Sequence, residues 1–145
     1  MKVLIDTNVY IIAALDLARD VETAEVKIIR AAIDQKFRVV ITKELQEQIL
    51  RVAKRVGGKD FASRLVALIW SEIKSIFIPR TYYECLMKIY EDKIPRKDLA
   101  IFTAALVANV DYLISENRNF IRKSAEAQRI FKCLMPEDFV NEIKL

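Results

Sequence analysis

Acidic and amide side chains recur where short apolar runs of this chain end. Asp6 closes Val3-Leu4-Ile5 and is followed by Thr7 and Asn8. Glu44 and Glu47 follow Arg38-Val39-Val40-Ile41, and Asp98 stands at the head of the apolar run Leu99 to Ala108. Ser115, Glu116 and Asn117 follow Tyr112-Leu113-Ile114. A carboxylate at the end of a buried strand is costly unless it is paired or bound to a metal. Taken singly, Asp6 and Asp98 are equally well read as helix N-caps. Glu44 and Glu47, three residues apart, share a helix face with Gln48 and Arg51, for which solvation is the ordinary explanation. Taken together, several converging carboxylates would repel one another unless a cation neutralised them.

Which cation, and which chemistry, follows from what is missing. The chain has no histidine. Ser-His-Asp and Cys-His pairs, His-liganded zinc and histidine general-base catalysis are therefore excluded. Cys85 and Cys133 form no CxxC pair, and the simplest inference is a reduced, intracellular protein. An oxygen-only site suits Mg²⁺ or Mn²⁺. Such an ion would lower the pKa of a bound water and offset charge on an attacked phosphodiester.

The elements that must position these residues are legible as alternating strands and helices. The chain is 145 residues long, which predicts one domain. With 53% apolar residues it is not a disordered chain, and with only two glycines and three prolines it is not a turn-rich β-protein. Strands are predicted at 3–5, 38–41, 76–78, 112–114 and 131–134. Helices are predicted at 9–17, 21–36, 43–56, 61–74, 82–90, 97–108, from 119, and at 137–143, with Gly57-Gly58 as a turn between two of them. Short β-branched runs separated by helices predict a mostly parallel sheet covered on both faces. In such a sheet the ligand lies beyond the carboxyl ends of the strands, where these acids fall. The formal charge of +4 permits an anionic partner without requiring one. Arg96, Lys97, Arg118 and Arg122 flank the acids and are the candidate phosphate contacts, with solvated surface charge as the plain alternative. The first apolar run breaks at Asp6, so no signal peptide is expected, and Leu99 to Val110 is too short to span a bilayer.

From Lys2 to about Glu142 the chain resembles the PIN-domain family, in particular the VapC-like toxin ribonucleases. The resemblance rests on Asp6-Thr7-Asn8 after a strand and on Glu47, five after Thr42, with Glu44 the weaker match. It rests also on Asp98 at the head of an Ala-rich helix and on Leu113-Ile114-Ser115-Glu116-Asn117-Arg118-Asn119-Phe120. It implies a single α/β domain over residues 1–145, with three α/β/α layers and a central, mostly parallel sheet of four to five strands. It implies RNA cleavage by a metal-activated water, with Mg²⁺ or Mn²⁺ as cofactor. The partners implied are RNA, a second copy of the chain and a small antitoxin protein, in the cytoplasm. Asp6, Asp98 and Glu47 would hold the metal, with Asn117 as the fourth catalytic position and Asn8, Ser115 and Glu116 in support. Asn117 departs from the family's usual Asp, so that corner binds metal more weakly and carries one charge fewer. A PIN-like module that binds RNA or protein without cutting is the first rival. An aspartyl-nucleophile phosphatase is the second, disfavoured because Asn8 stands where such enzymes need an acid.

Overall fold

Val3, Leu4 and Ile5 are completely buried, as a strand covered on both faces requires. In the computed structural model, which describes all residues from 1 to 145, they belong to strand β1 (Lys2–Ile5). The chain continues through α1 (Thr7–Ala18), α2 (Ala24–Ile33), β2 (Arg38–Ile41), α3 (Lys43–Glu72) and β3 (Ser75–Phe77). It ends with α4 (Glu84–Tyr90), α5 (Leu99–Ala108), β4 (Tyr112–Ile114), α6 (Arg118–Ala127), β5 (Lys132–Leu134) and α7 (Pro136–Ile143). Single 3₁₀ turns at Arg80–Tyr82 and Arg96–Asp98 lead into α4 and α5.

The five strands form one fully parallel sheet in the order β3-β2-β1-β4-β5. Ile5 pairs in register with Ile114, so the residues that leave β1 and β4 emerge side by side. Strand order reverses between these two strands, and an open parallel sheet offers its ligand crevice at such a reversal. α1 packs on α2 and α3, α2 on α7, and α4 on α5. Phe102, Phe120 and Phe139 are wholly buried among the helices that cover the sheet.

Several expected boundaries shift by one to three residues, among them α2, expected at 21–36, and β3, expected at 76–78. The two helices expected at Lys43–Val56 and Phe61–Lys74 around Gly57-Gly58 are present as two helical segments that meet at a kink there. Helical structure runs from Lys43 to Glu72, broken only at Gly58, whose φ of 89° and ψ of 176° are non-helical. That region is accessible essentially to glycine alone. Leu45, Ile49 and Ala53 are buried before the kink, and Ala62, Leu65 and Ile69 after it, so both halves are anchored. Val56, expected in the apolar stripe, is half exposed beside the kink.

Candidate functional site

Thr7 is the first helical residue after β1, which makes Asp6 the N-cap of α1. One oxygen of Asp6, Oδ1, accepts the Thr7 backbone N–H at 2.8 Å. The other, Oδ2, accepts the Ser115 hydroxyl at 2.7 Å. The cap and the site are thus two functions of one carboxylate. Ser115 is itself oriented, because its Oγ accepts the Asn117 backbone N–H at 3.1 Å. Burial pushes the Asp6 carboxyl above the ordinary range, against the opposing effects of Ser115, the Thr7 amide and the Lys97 charge.

Asp98 ends the 3₁₀ turn before α5 and makes no side-chain cap bond. It is only 5% exposed, and its Oδ2 is buried without a hydrogen-bond partner. Burial and the neighbouring Asp6 charge raise its pKa to about 6, with Lys97 opposing. The two acids therefore lie within electrostatic reach of each other and of one lysine. An orphaned buried carboxylate oxygen calls for a proton or a cation.

The third side chain at this point is not the expected one. Glu47 is 60% exposed and its nearest ionic partner is Lys43, at 3.9 Å. Gln48 turns inward, and its Oε1 accepts the Thr7 hydroxyl at 2.6 Å. Helix phase is the reason: Leu45, Ile49 and Ala53 fix the buried line of α3, and Gln48 borders it while Glu47 faces water. Glu44 is engaged elsewhere, by Arg80 at 2.8 Å and by the Tyr83 hydroxyl. Burial would raise its carboxyl, but these two partners outweigh that and hold it below the ordinary range.

The other expected residues are scattered around this pair. Asn8 is exposed, one helical position past the inward-facing Thr7. Asn117 caps α6, its Oδ1 accepting the Phe120 backbone N–H at 3.1 Å. Glu116 points away from Ser115 toward Glu25 and Glu137; burial and Glu25 raise its pKa to about 7. Lys97 stands close enough to act on both acids, whereas Arg122 is occupied by Asn119 and Glu126. Arg96 and Arg118 are exposed. Tyr10, not anticipated, is fully buried with an unpartnered hydroxyl, and burial and the Asp6 charge push its pKa well up. Its place in an apolar run concealed it.

No group of three acidic or cysteine side chains is arranged to hold a metal ion. The donors at the sheet reversal fit a lighter arrangement. Asp6 and Asp98, with the orphaned Asp98 Oδ2, suit one hard divalent ion, since Mg²⁺ is commonly held by one or two carboxylates with waters and substrate phosphate completing its shell.

A family profile described as PIN domain matches residues 2–119. The chain belongs to the PIN-domain family. Solved structures agree on the fold. A chain in the crystal structure of VapBC2 from Rickettsia felis, bound to a DNA fragment from its promoter, superposes with a TM-score of 0.65 at 16% identity. That match covers 93% of this chain and 98% of the other. A chain in the VapBC-1 structure from nontypeable Haemophilus influenzae gives 0.61 at 17% identity, over 94% and 99%. No curated protein matches by sequence. The expected parallel α/β architecture of a PIN domain is thus present, with five strands. No helix is long and apolar enough to cross a membrane.

Proposed function

We propose that this PIN domain is a metal-dependent endoribonuclease and the toxic member of a toxin–antitoxin pair. The observation that carries the reading is the pair of acids at the sheet reversal, half-buried Asp6 and buried Asp98, with one oxygen of Asp98 unpartnered. Asp6 and Asp98 would hold Mg²⁺ or Mn²⁺. Such an ion would supply an acidified water and positive charge at the phosphate. Ser115 and Thr7 fix the two oxygens of Asp6, and Gln48 fixes Thr7. Lys97 contributes positive charge beside both acids. RNA as substrate, a homodimeric state and a cytoplasmic setting belong to the same proposal. The similarity to chains in VapBC structures supports a protein partner.

The test is Mn²⁺-dependent cleavage of mixed RNAs, run beside Asp6→Asn and Asp98→Asn. Loss of cleavage in both variants is expected, and unchanged turnover in either refutes the assignment. A second reading, an RNA-binding PIN module without cleavage, is favoured by the neutral Gln48 and by Asn117 being occupied as a cap. It predicts salt-sensitive RNA binding with no cleavage in either metal.

A further inference from the structure

The excess positive charge of this chain is confined to one short segment. From Arg51 to Arg64 there are five basic residues, Arg51, Lys54, Arg55, Lys59 and Arg64, and one acid, Asp60. The rest of the chain balances at nineteen basic and nineteen acidic residues. All five cations are exposed, and none forms an ion pair within 4 Å. Elsewhere several cations are held by acids, including Arg19, Arg30, Arg80 and Lys132.

The placement is as informative as the count. Arg51 and Arg55 lie three and seven residues after Gln48, the side chain that touches Thr7 beside Asp6. At about 100° per residue these positions fall along nearly one line of the helix, covering about 10 Å. Lys54 adjoins Arg51 on the outer side, and Lys59 continues the charge beyond the Gly58 kink. A strip of unpaired cations therefore begins one helical turn beyond Gln48, the α3 side chain that touches Thr7, and runs down α3. The site itself is acidic and would repel a polyanion, so a strand of phosphates needs a separate hold.

We propose that the exposed face of α3 bearing Arg51, Lys54, Arg55 and Lys59 is a track for the phosphate backbone of a single-stranded RNA whose path leads to the Asp6–Asp98 site. This rests on the ribonuclease reading for the identity of the strand. It places the principal electrostatic hold on α3 rather than on Arg96, Lys97, Arg118 and Arg122. Long basic side chains on a rigid helix suit sequence-independent phosphate contacts, with the release of counterions driving binding.

The experiment measures binding rather than cleavage. A fluorescein-labelled single-stranded RNA of mixed sequence is titrated with full-length protein in EDTA, and anisotropy is followed over a range of salt. Wild type is compared with Arg51→Glu/Arg55→Glu, with the milder Arg51→Gln/Arg55→Gln, and with Lys27→Glu/Arg129→Glu. The last changes net charge as much as the first does, at exposed positions outside α3. The α3 reversal is expected to weaken binding at least about tenfold and to flatten the log–log salt slope by about 1.4, since each single-strand phosphate contact contributes about 0.7. The glutamine pair should lose the same slope with a smaller loss of affinity, and the control should keep the wild-type slope. Circular dichroism melts confirm that the variants fold.

Equal weakening by the control pair would reduce the effect to bulk charge and overturn the proposal. So would a wild-type slope in the α3 variants with binding lost instead in Arg96→Glu/Lys97→Glu. If a glutamate homopolymer binds as tightly as RNA with the same slope, the face serves an acidic polypeptide and the RNA track is refuted. Failure of the ribonuclease reading looks different: α3-dependent binding would remain while no RNA is cut in Mn²⁺. Conversely, Asp6-dependent cleavage with binding indifferent to α3 would sink the track alone.

Discussion

Replacing Asp98 by asparagine should make the metal-free protein more stable and the metal-loaded protein relatively less so. Asp98 is 5% exposed, lacks a partner for Oδ2, and has a pKa of about 6 in the fold against 3.8 as a free side chain. A raised carboxyl pKa means that the folded state holds the proton more tightly than the unfolded chain. Its contribution is then fully present below about pH 4 and is lost as pH rises through about 6. The difference corresponds to about 3 kcal/mol as a ceiling, and sharing the cost with Asp6 brings the expected gain from asparagine to about 1–3 kcal/mol near neutral pH. The substitution would give up no cap bond, because the Asp98 side chain makes none. For a domain of this size each kcal/mol moves Tm by about 2–4 °C. Thermal melts in EDTA from about pH 4.5 to 8 should show wild type falling behind the variant as pH rises, with the curves meeting at the acid end. Adding Mn²⁺ at about a hundred times its dissociation constant should add about 2.7 kcal/mol to wild type and little to the variant, inverting their order. Destabilisation by Asp98→Asn in EDTA at every pH, or equal stabilisation of both proteins by Mn²⁺, would refute this account.

Other substitutions test the surroundings of that pair. Gln48→Glu places a third carboxylate against Thr7 and should tighten Mn²⁺ binding by about ten- to a hundredfold in a calorimetric titration; unchanged affinity would remove Gln48 from the site. Glu116→Gln should stabilise the protein at about pH 8 by about 1–2 kcal/mol, discounted for partial exposure, and have no effect below about pH 4.5, because stability is lost as this raised carboxyl ionises up to about pH 7. A pH-independent effect in urea titrations would contradict that origin. Tyr10→Phe removes a buried hydroxyl that has no partner and should raise stability by about 1 kcal/mol. Destabilisation in the same titration would reveal a partner for that hydroxyl.

How much of this was legible in the sequence depends on the kind of order involved. Arg38–Ile41 and Tyr112–Ile114 were legible because their buried residues, Val39-Val40-Ile41 and Leu113-Ile114, form continuous β-branched or aliphatic runs. Asp6 and Asp98 were legible because strand and helix ends mark themselves in sequence. Side-chain direction was not. Thr7 against Asn8 and Gln48 against Glu47 are adjacent residues about 100° apart on a helix, and only tertiary packing decides which one turns inward. Ser115 and Glu116 diverge for a related reason: successive residues leaving a strand point to opposite sides. The break in α3 was legible in Gly57-Gly58, although one non-helical residue, Gly58, suffices to make it.

That single residue also limits the size of the molecule. A straight helix of thirty residues would be about 45 Å long, well beyond the width of a domain of this length. Its far half would then stand in water, with Ala62, Leu65 and Ile69 stripped of their neighbours. β3 could not follow so closely as the edge of the sheet. Gly58 therefore acts as a fold-level punctuation mark: it lets one continuous segment serve first as a wall of the crevice and then as the return path to the sheet. Any side chain there must adopt a backbone conformation that only glycine holds without strain. A single methyl group at this bend therefore costs the architecture more than exchanges among the exposed residues on either side of it.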